Sequence, residues 1–249
     1  MYRHLNIGPA VVETALILYL LGFYISGEVA RRHAKRHGLD GNAVQNALII
    51  GLLVGIIGAR LAYIFQHWAI YREDLGGWIS LTPQALAIPA GLLAGTAASL
   101  GYAYWRKLAL RPFLESIAPG LGLFMVILGL ALLARGGAFG QASDLPWAID
   151  LWGETRHPTQ LYASIGGALT LGAWWYWRLS LLGRGFAFIV AGNALTWLLV
   201  GLLLAEPELV LNTYRTLQVV AWAALVAATL GWAWWSQLPY QPGNLSQTE

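Results

Sequence analysis

Gly140 to Tyr162, read G-Q-A-S-D-L-P-W-A-I-D-L-W-G-E-T-R-H-P-T-Q-L-Y, is the longest polar interval between two long apolar segments. It holds Asp144, Asp150, Glu154, Arg156 and His157 in a chain of which only 11% is charged. Trp147, Trp152 and Pro158 are set among these residues, the composition of an ordered interfacial loop. Such a loop needs hydrocarbon on both sides of it, and the flanks supply it. Phe113 to Ala134 runs in and Pro158 to Trp177 runs out, each close to the 20 residues that span a bilayer core of roughly 30 Å.

Moving outward, the same kind of segment recurs. Further apolar runs lie at about Ile7–Ala30, Ala43–Trp68, Gln84–Trp105, Gly185–Ala205 and Thr216–Trp235. The whole chain is 57% hydrophobic, with 29 glycines, and its mean hydropathy is +0.56. This excludes a soluble domain, and the absence of short alternating segments argues against a β-barrel. The expectation is an all-α, polytopic integral membrane protein of about seven transmembrane helices. It forms one transmembrane domain over residues 1–249, with an outer-face loop over 135–157. The N-terminus lacks a cleavage-site pattern, so the first segment is expected to be retained.

Charge sets the orientation. Nine of the fifteen Lys and Arg fall in three connections: Arg31, Arg32, Lys35 and Arg36; Arg106, Lys107 and Arg111; Arg178 and Arg184. Arg3, Arg72, Arg135, Arg156 and Arg215 fall on the opposite side. By the positive-inside rule the N-terminus is outside and the C-terminus cytoplasmic, in a multi-pass membrane protein. Glu206-Pro207-Glu208 is then an outer turn. The net charge of +3 needs no nucleic-acid partner, and with no cysteine there is no thiolate nucleophile or thiolate metal site. Gly51 and Gly55, with Gly91 and Gly95, give small-xxx-small spacing that lets two helices approach closely.

The polar residues inside the apolar pattern are the candidates for function. Arg60 sits roughly 12 Å before the outer end of its segment, where a guanidinium costs at least ~2.5 kcal/mol at mid-membrane depth. It reads either as a clamp for a lipid phosphate or as a snorkelled arginine paired with an acidic neighbour. Tyr63 and His67 share its helix face. Glu13 reads either as a buried carboxylate with a raised pKa or as a counter-ion to an outer arginine. His157-Pro158 opens a helix, so His157 is a general base or a hydrogen-bonded structural residue. Arg135 and Arg215 are phosphate-directed or simply exposed.

These pieces, in this order, resemble the prolipoprotein diacylglyceryl transferase family. The resemblance is carried by I-G-P at 7–9, R-R-H-A-K-R-H-G-L-D at 31–40, G-I-I-G-A-R-L-A-Y at 55–63 and F-L-E-S-I-A-P at 113–119. It continues in G-Q-A-S-D-L-P-W-A-I at 140–149, R-H-P-T-Q-L-Y at 156–162, E-P-E-L-V-L at 206–211 and T-L-Q at 216–218. The family implies transfer of a diacylglyceryl group from phosphatidylglycerol to the lipobox cysteine thiol of a preprolipoprotein, releasing glycerol phosphate, with no metal and no organic cofactor. It implies an anionic phospholipid and a lipobox preprolipoprotein as partners.

The departures fall on the reactive positions. Aligned without gaps, the family's span-one tyrosine is Ala15, and its histidine-glycine-glycine is Pro89-Ala90-Gly91. In its G-R-x-G-N-F-x-N-G-E run the arginine becomes Gly129, the asparagines Leu132 and Arg135, and the glutamate Gly137. The arginine and glutamate of span six become Trp197 and Gly201. What remains makes Arg135 and His157 the candidate catalytic pair. Arg60, Tyr63, Arg156, Gln160 and Tyr162 remain as candidate binders of a lipid head group. Two functions stay open: a transferase with a rearranged site, or a catalytically silent relative that binds lipid or serves as a subunit of a larger membrane complex.

Overall fold

Each long apolar run forms a helix in the computed structural model, the first only from Thr14 because Ala10–Glu13 pairs as a strand with His4–Ile7; the structure describes residues 4–7, 10–72, 76–79, 85–205, 209–210 and 214–240. The helices are α1 (Thr14–Ala34), α2 (Gly41–Gln66), the single turn α3 (Trp68–Tyr71), α4 (Ile88–Trp105), α5 (Leu110–Arg135), α6 (Thr159–Trp177), α7 (Gly185–Leu202) and α8 (Thr216–Gln237). Among the described residues there are also three antiparallel strand pairs: β1 (His4–Ile7) with β2 (Ala10–Glu13), β3 (Ile149–Leu151) with β4 (Glu154–Arg156), and β5 (Leu209–Val210) with β6 (Tyr214–Arg215). The protein is an all-α polytopic membrane protein. Helices α1, α2, α5, α7 and α8 are long and apolar enough to cross a bilayer by themselves. The shorter α4 packs along α2, and α6 lies between α5 and α7.

Small residues decide where these helices cross. A Cβ on Gly95 would stand 2.6 Å from the Gly51 carbonyl, and one on Gly91 would stand 2.8 Å from the Gly55 carbonyl. The expected small-xxx-small pairs are therefore where α2 and α4 touch backbone to backbone. Gly120 meets the Ser26 carbonyl between α5 and α1, while Gly166 and Gly192 fit against Thr196 and Thr170 between α6 and α7. Contact positions rise on one helix as they fall on its neighbour (Gly51 with Gly95, then Gly55 with Gly91; Gly22 with Ile127, then Ser26 with Gly120; Gly166 with Thr196, then Thr170 with Gly192), so these neighbours run antiparallel.

The bundle thus has two different ends. One carries the start of α1, the ends of α2, α5 and α7, and the polar interval; it is called the signature end below. The other carries Arg31 to Arg36, Arg106, Arg111 and Arg184, and is called the basic end. Here α1 runs on through Arg31 and Arg32 instead of stopping at Ala30. Glu28 explains this: it holds both guanidiniums, with 2.6 Å contacts at i+3 and i+4. Asp40 caps α2 through the Asn42 N–H at 2.9 Å. Gly8, Pro9 and the expected turn Glu206-Pro207-Glu208 lie outside the described residues.

Candidate functional site

Helix α5 ends at Arg135 because Gly136 turns into the left-handed region (φ 73°, ψ 22°), with the Gly136 and Gly137 N–H groups returning to Leu133 and Leu132. The chain then runs as non-helical backbone across the signature end. Backbone of that kind at membrane depth must have its polar groups satisfied by protein. Six consecutive carbonyls are met in turn. Gly136 O accepts from Trp152 Nε1 at 3.0 Å, Gly137 O from Gln160 Nε2 at 2.7 Å, and Ala138 O from Thr159 Oγ1 at 2.6 Å. Phe139 O accepts from the Ala205 N–H at 3.1 Å, Gly140 O from Arg156 Nη1 at 3.4 Å, and Gln141 O from the His157 N–H at 3.1 Å. Thr159 is completely buried and Gln160 is 1% exposed.

Three of the candidate site residues, Arg156, His157 and Gln160, therefore hold this segment, His157 through its backbone N–H. Arg156 also lies over the Phe139 ring at 4.9 Å and pairs with Glu154 at 2.6 Å. The Tyr162 hydroxyl accepts from Trp147 Nε1 at 2.8 Å, an indole N–H being only a donor, and stands 3.4 Å from His157 Nδ1. Arg135 stands beside the Tyr19 hydroxyl of α1, with the Glu13 charge nearby. The candidate pair Arg135 and His157 thus turns to different partners.

Arg60 and Tyr63 form a second group. Arg60 is 5% exposed, donates from Nη1 to the Ala85 carbonyl at 2.9 Å and from Nε to the Trp78 carbonyl at 3.3 Å, and lies over the Tyr71 ring at 5.1 Å. Tyr63 stacks on His67 with ring centres 4.2 Å apart and meets Tyr71 edge-on. His67 Nδ1 donates to the Tyr63 carbonyl at 3.0 Å, since a carbonyl only accepts. Arg60 and Tyr63 bind the connection between α2 and α4; Arg156, His157, Gln160 and Tyr162 bind the connection between α5 and α6.

The positions where reactive groups were sought tell the same story. A Cβ on Gly129 would run into Ser164 Oγ and stand 2.6 Å from the Gln160 carbonyl and 2.8 Å from the Ser164 N–H. Helix α6 lies directly on α5 there, held by Ser164 Oγ donating to the Val126 carbonyl at 2.8 Å. Gly137 has more room, its nearest neighbour being Leu132 Cδ2 at 3.9 Å. Ala15 is buried at 2% exposure.

Trp152, Thr159, Ser164 and Tyr19 escaped the sequence reading. Trp152-Gly153 had a usable signal: two residues between I-D-L and E-T-R form a two-residue hairpin turn, with φ of 60° and 83°. Tyr19 had none, because its partner Arg135 lies far away in the chain.

A family model described as prolipoprotein diacylglyceryl transferase matches residues 4–235. Among similar curated proteins is a phosphatidylglycerol–prolipoprotein diacylglyceryl transferase of Clostridioides difficile, 32% identical over 149 residues, which are 60% of this chain and 60% of that protein. One of Finegoldia magna is 31% identical over 153 residues, covering 61% and 62% of the two chains. In both cases the chain spans about three-fifths of the relative's length. One of Synechococcus elongatus is 27% identical, with 92% of this chain and 85% of the relative covered.

Proposed function

The chain belongs to the prolipoprotein diacylglyceryl transferase family, and from that premise we propose that it is a catalytically silent member. It keeps the family bundle in a bacterial cytoplasmic membrane, basic end toward the cytoplasm, and does not transfer diacylglyceryl to a lipobox cysteine. Its task is to bind an anionic phospholipid such as phosphatidylglycerol or to serve as a subunit of a larger membrane assembly.

The single observation that carries this reading is the closure at Gly129. Transfer needs a cationic clamp on the departing phosphate and a base near the thiol, converging within about 3–3.5 Å of the reacting atoms. At Gly129 not even a methyl group fits, and Ser164 and the Gln160 backbone hold the space. Two cations able to replace the clamp are committed, Arg60 to two carbonyls and Arg156 to Gly140 and Glu154, while Arg135 stands beside Tyr19. The persistence of R-H-P-T-Q-L-Y has a reason other than chemistry, because Arg156, His157, Thr159 and Gln160 each hold a carbonyl of the 136–141 segment.

The experiment is expression of this chain in a cell depleted of its own diacylglyceryl transferase. Lipoprotein modification is expected to remain absent while the protein accumulates in the membrane. Thioether-linked lipid on a lipobox peptide, lost in Arg135→Ala or His157→Ala, would show instead that the site has been rebuilt around those residues.

A further inference from the structure

At the basic end, the segment after α8 is held by side chains of other elements. Arg111, near the start of α5, donates to the Gly183 carbonyl at 2.8 Å, to Trp235 at 2.9 Å, to Leu238 at 3.1 Å and to Pro239 at 3.4 Å. Its guanidinium also lies over the Tyr240 ring at 4.9 Å. One arginine thus completes the open carbonyl end of α8 and grips the three residues beyond it. The second hold is His37, whose Nδ1 hydrogen-bonds the Tyr240 hydroxyl. Burial first, with the Glu115 charge, pushes the Tyr240 phenol up to about 12, so the hydroxyl keeps its proton.

Beneath this segment lies a cluster of polar groups, Glu115 and His37 buried and His33 half-buried. Glu115, 4% exposed, accepts the Gly185 and Phe186 N–H groups at 3.1 and 3.0 Å and so caps the start of α7. His33 meets both the His37 ring at 4.9 Å and the Trp174 ring at 5.5 Å. Gly183, in the turn before α7, fits so closely that a Cβ there would stand 2.7 Å from the Tyr240 ring. His37 is 5% exposed, and its Nε2 has no hydrogen-bond partner among the described residues.

We propose that Leu238–Tyr240 is a hinged cover, pinned by Arg111 and His37, which closes the basic end over Glu115, His33 and His37 and exposes them when it opens. Two features make it a cover and not a piece of the bundle. Leu238 leaves the helix in an extended conformation (φ −107°, ψ 134°), and its own N–H makes only a 3.4 Å contact with the Trp235 carbonyl. The closed form also leaves the buried His37 Nε2 without a partner among the described residues, a penalty that opening to water removes. A segment held by a few side-chain contacts opens locally without unfolding the rest.

Because the chain contains no cysteine, single cysteines report on the cover cleanly. Leu181, 7% exposed in the turn beside Gly183, is replaced by cysteine in the full chain in detergent micelles and labelled with a hydrophilic maleimide. Ala103→Cys, in the separate cluster of α1, α2, α4 and α5, serves as the remote reference. Labelling at both sites is expected to be slow in the parent. Removing a pin, by Tyr240→Phe or Arg111→Met, should speed it about tenfold at position 181 and leave position 103 unchanged. Fast labelling at 181 in the parent, equal acceleration at both sites, or no acceleration at 181 would each overturn the cover. If Arg111→Met fails to fold, Tyr240→Phe, which removes a single hydroxyl, decides the outcome.

Discussion

Gly129 shows how one residue reads differently in a sequence and in a bundle. From the chain alone it is a missing cation, an arginine position left empty. In the fold nothing is empty: its lack of a side chain lets Ser164 and the Gln160 backbone close on α5. Gly129→Ala is therefore expected to destabilise the protein by about 1–3 kcal/mol, as overpacking does, seen as a lower melting temperature in detergent. Gly129→Arg, the change that restores the family residue, should impair folding and leave transfer absent. An unaltered melting temperature in Gly129→Ala would mean that α5 and α6 are not in contact there. Gln160 tests the same segment from the other side. Gln160→Leu keeps the size but strips the Gly137 carbonyl of its donor, at a cost of about 1–3 kcal/mol. Arg156, Gln160 and Tyr162 could be named from the sequence because R-H-P-T-Q-L-Y at 156–162 resembles the family's block. What each one binds could not be, since a carbonyl of the backbone leaves no mark in the residue pattern.

For a helix and its connection, Arg60 is the informative case. Two readings were open from the sequence, a phosphate clamp or an ion pair, and under the first a leucine should raise the stability of the span or leave it level. The hydrogen bonds reverse that sign. Arg60 holds the Trp78 and Ala85 carbonyls, so Arg60→Leu should cost about 1.5–3 kcal/mol and loosen the entry to α4, measured as faster amide exchange at Ala87. Phosphatidylglycerol that co-purifies with the parent and is lost in this variant without any loss of stability would restore the clamp. The helices themselves were legible because 20-residue apolar runs have few alternatives in a bilayer, and the α2–α4 crossing because its glycines repeat every fourth residue. Boundaries were less so. The α1 helix outran its apolar run because Glu28 neutralises the arginines that follow, an interaction of local spacing and not of hydropathy.

For the whole molecule, the antiparallel order of neighbouring helices puts the start of α1 and the end of α8 at opposite ends of the bundle. Together with the nine basic residues on one side, this predicts that a tag after Glu249 is reached only from the cytoplasm and a tag before Tyr2 only from outside. Accessibility of both tags from one side would remove this topology.

The run of six carbonyls from Gly136 to Gln141 bears on how the protein is made. The chain leaves the ribosome from its N-terminus, so the stretch after α5 is synthesised before any group that will hold it. Trp152, Arg156 and His157 arrive with the hairpin, Thr159 and Gln160 with α6, and Ala205 only when α7 has been made. Until then the Phe139 carbonyl and the Gln141 N–H, which later bond Ala205 and the Leu203 carbonyl, must borrow water from the membrane surface. Closure of the signature end is thus a late event in biogenesis. A nascent chain halted before Ala205 would present an unfinished face to the quality-control proteases of the membrane, however well its first helices had inserted.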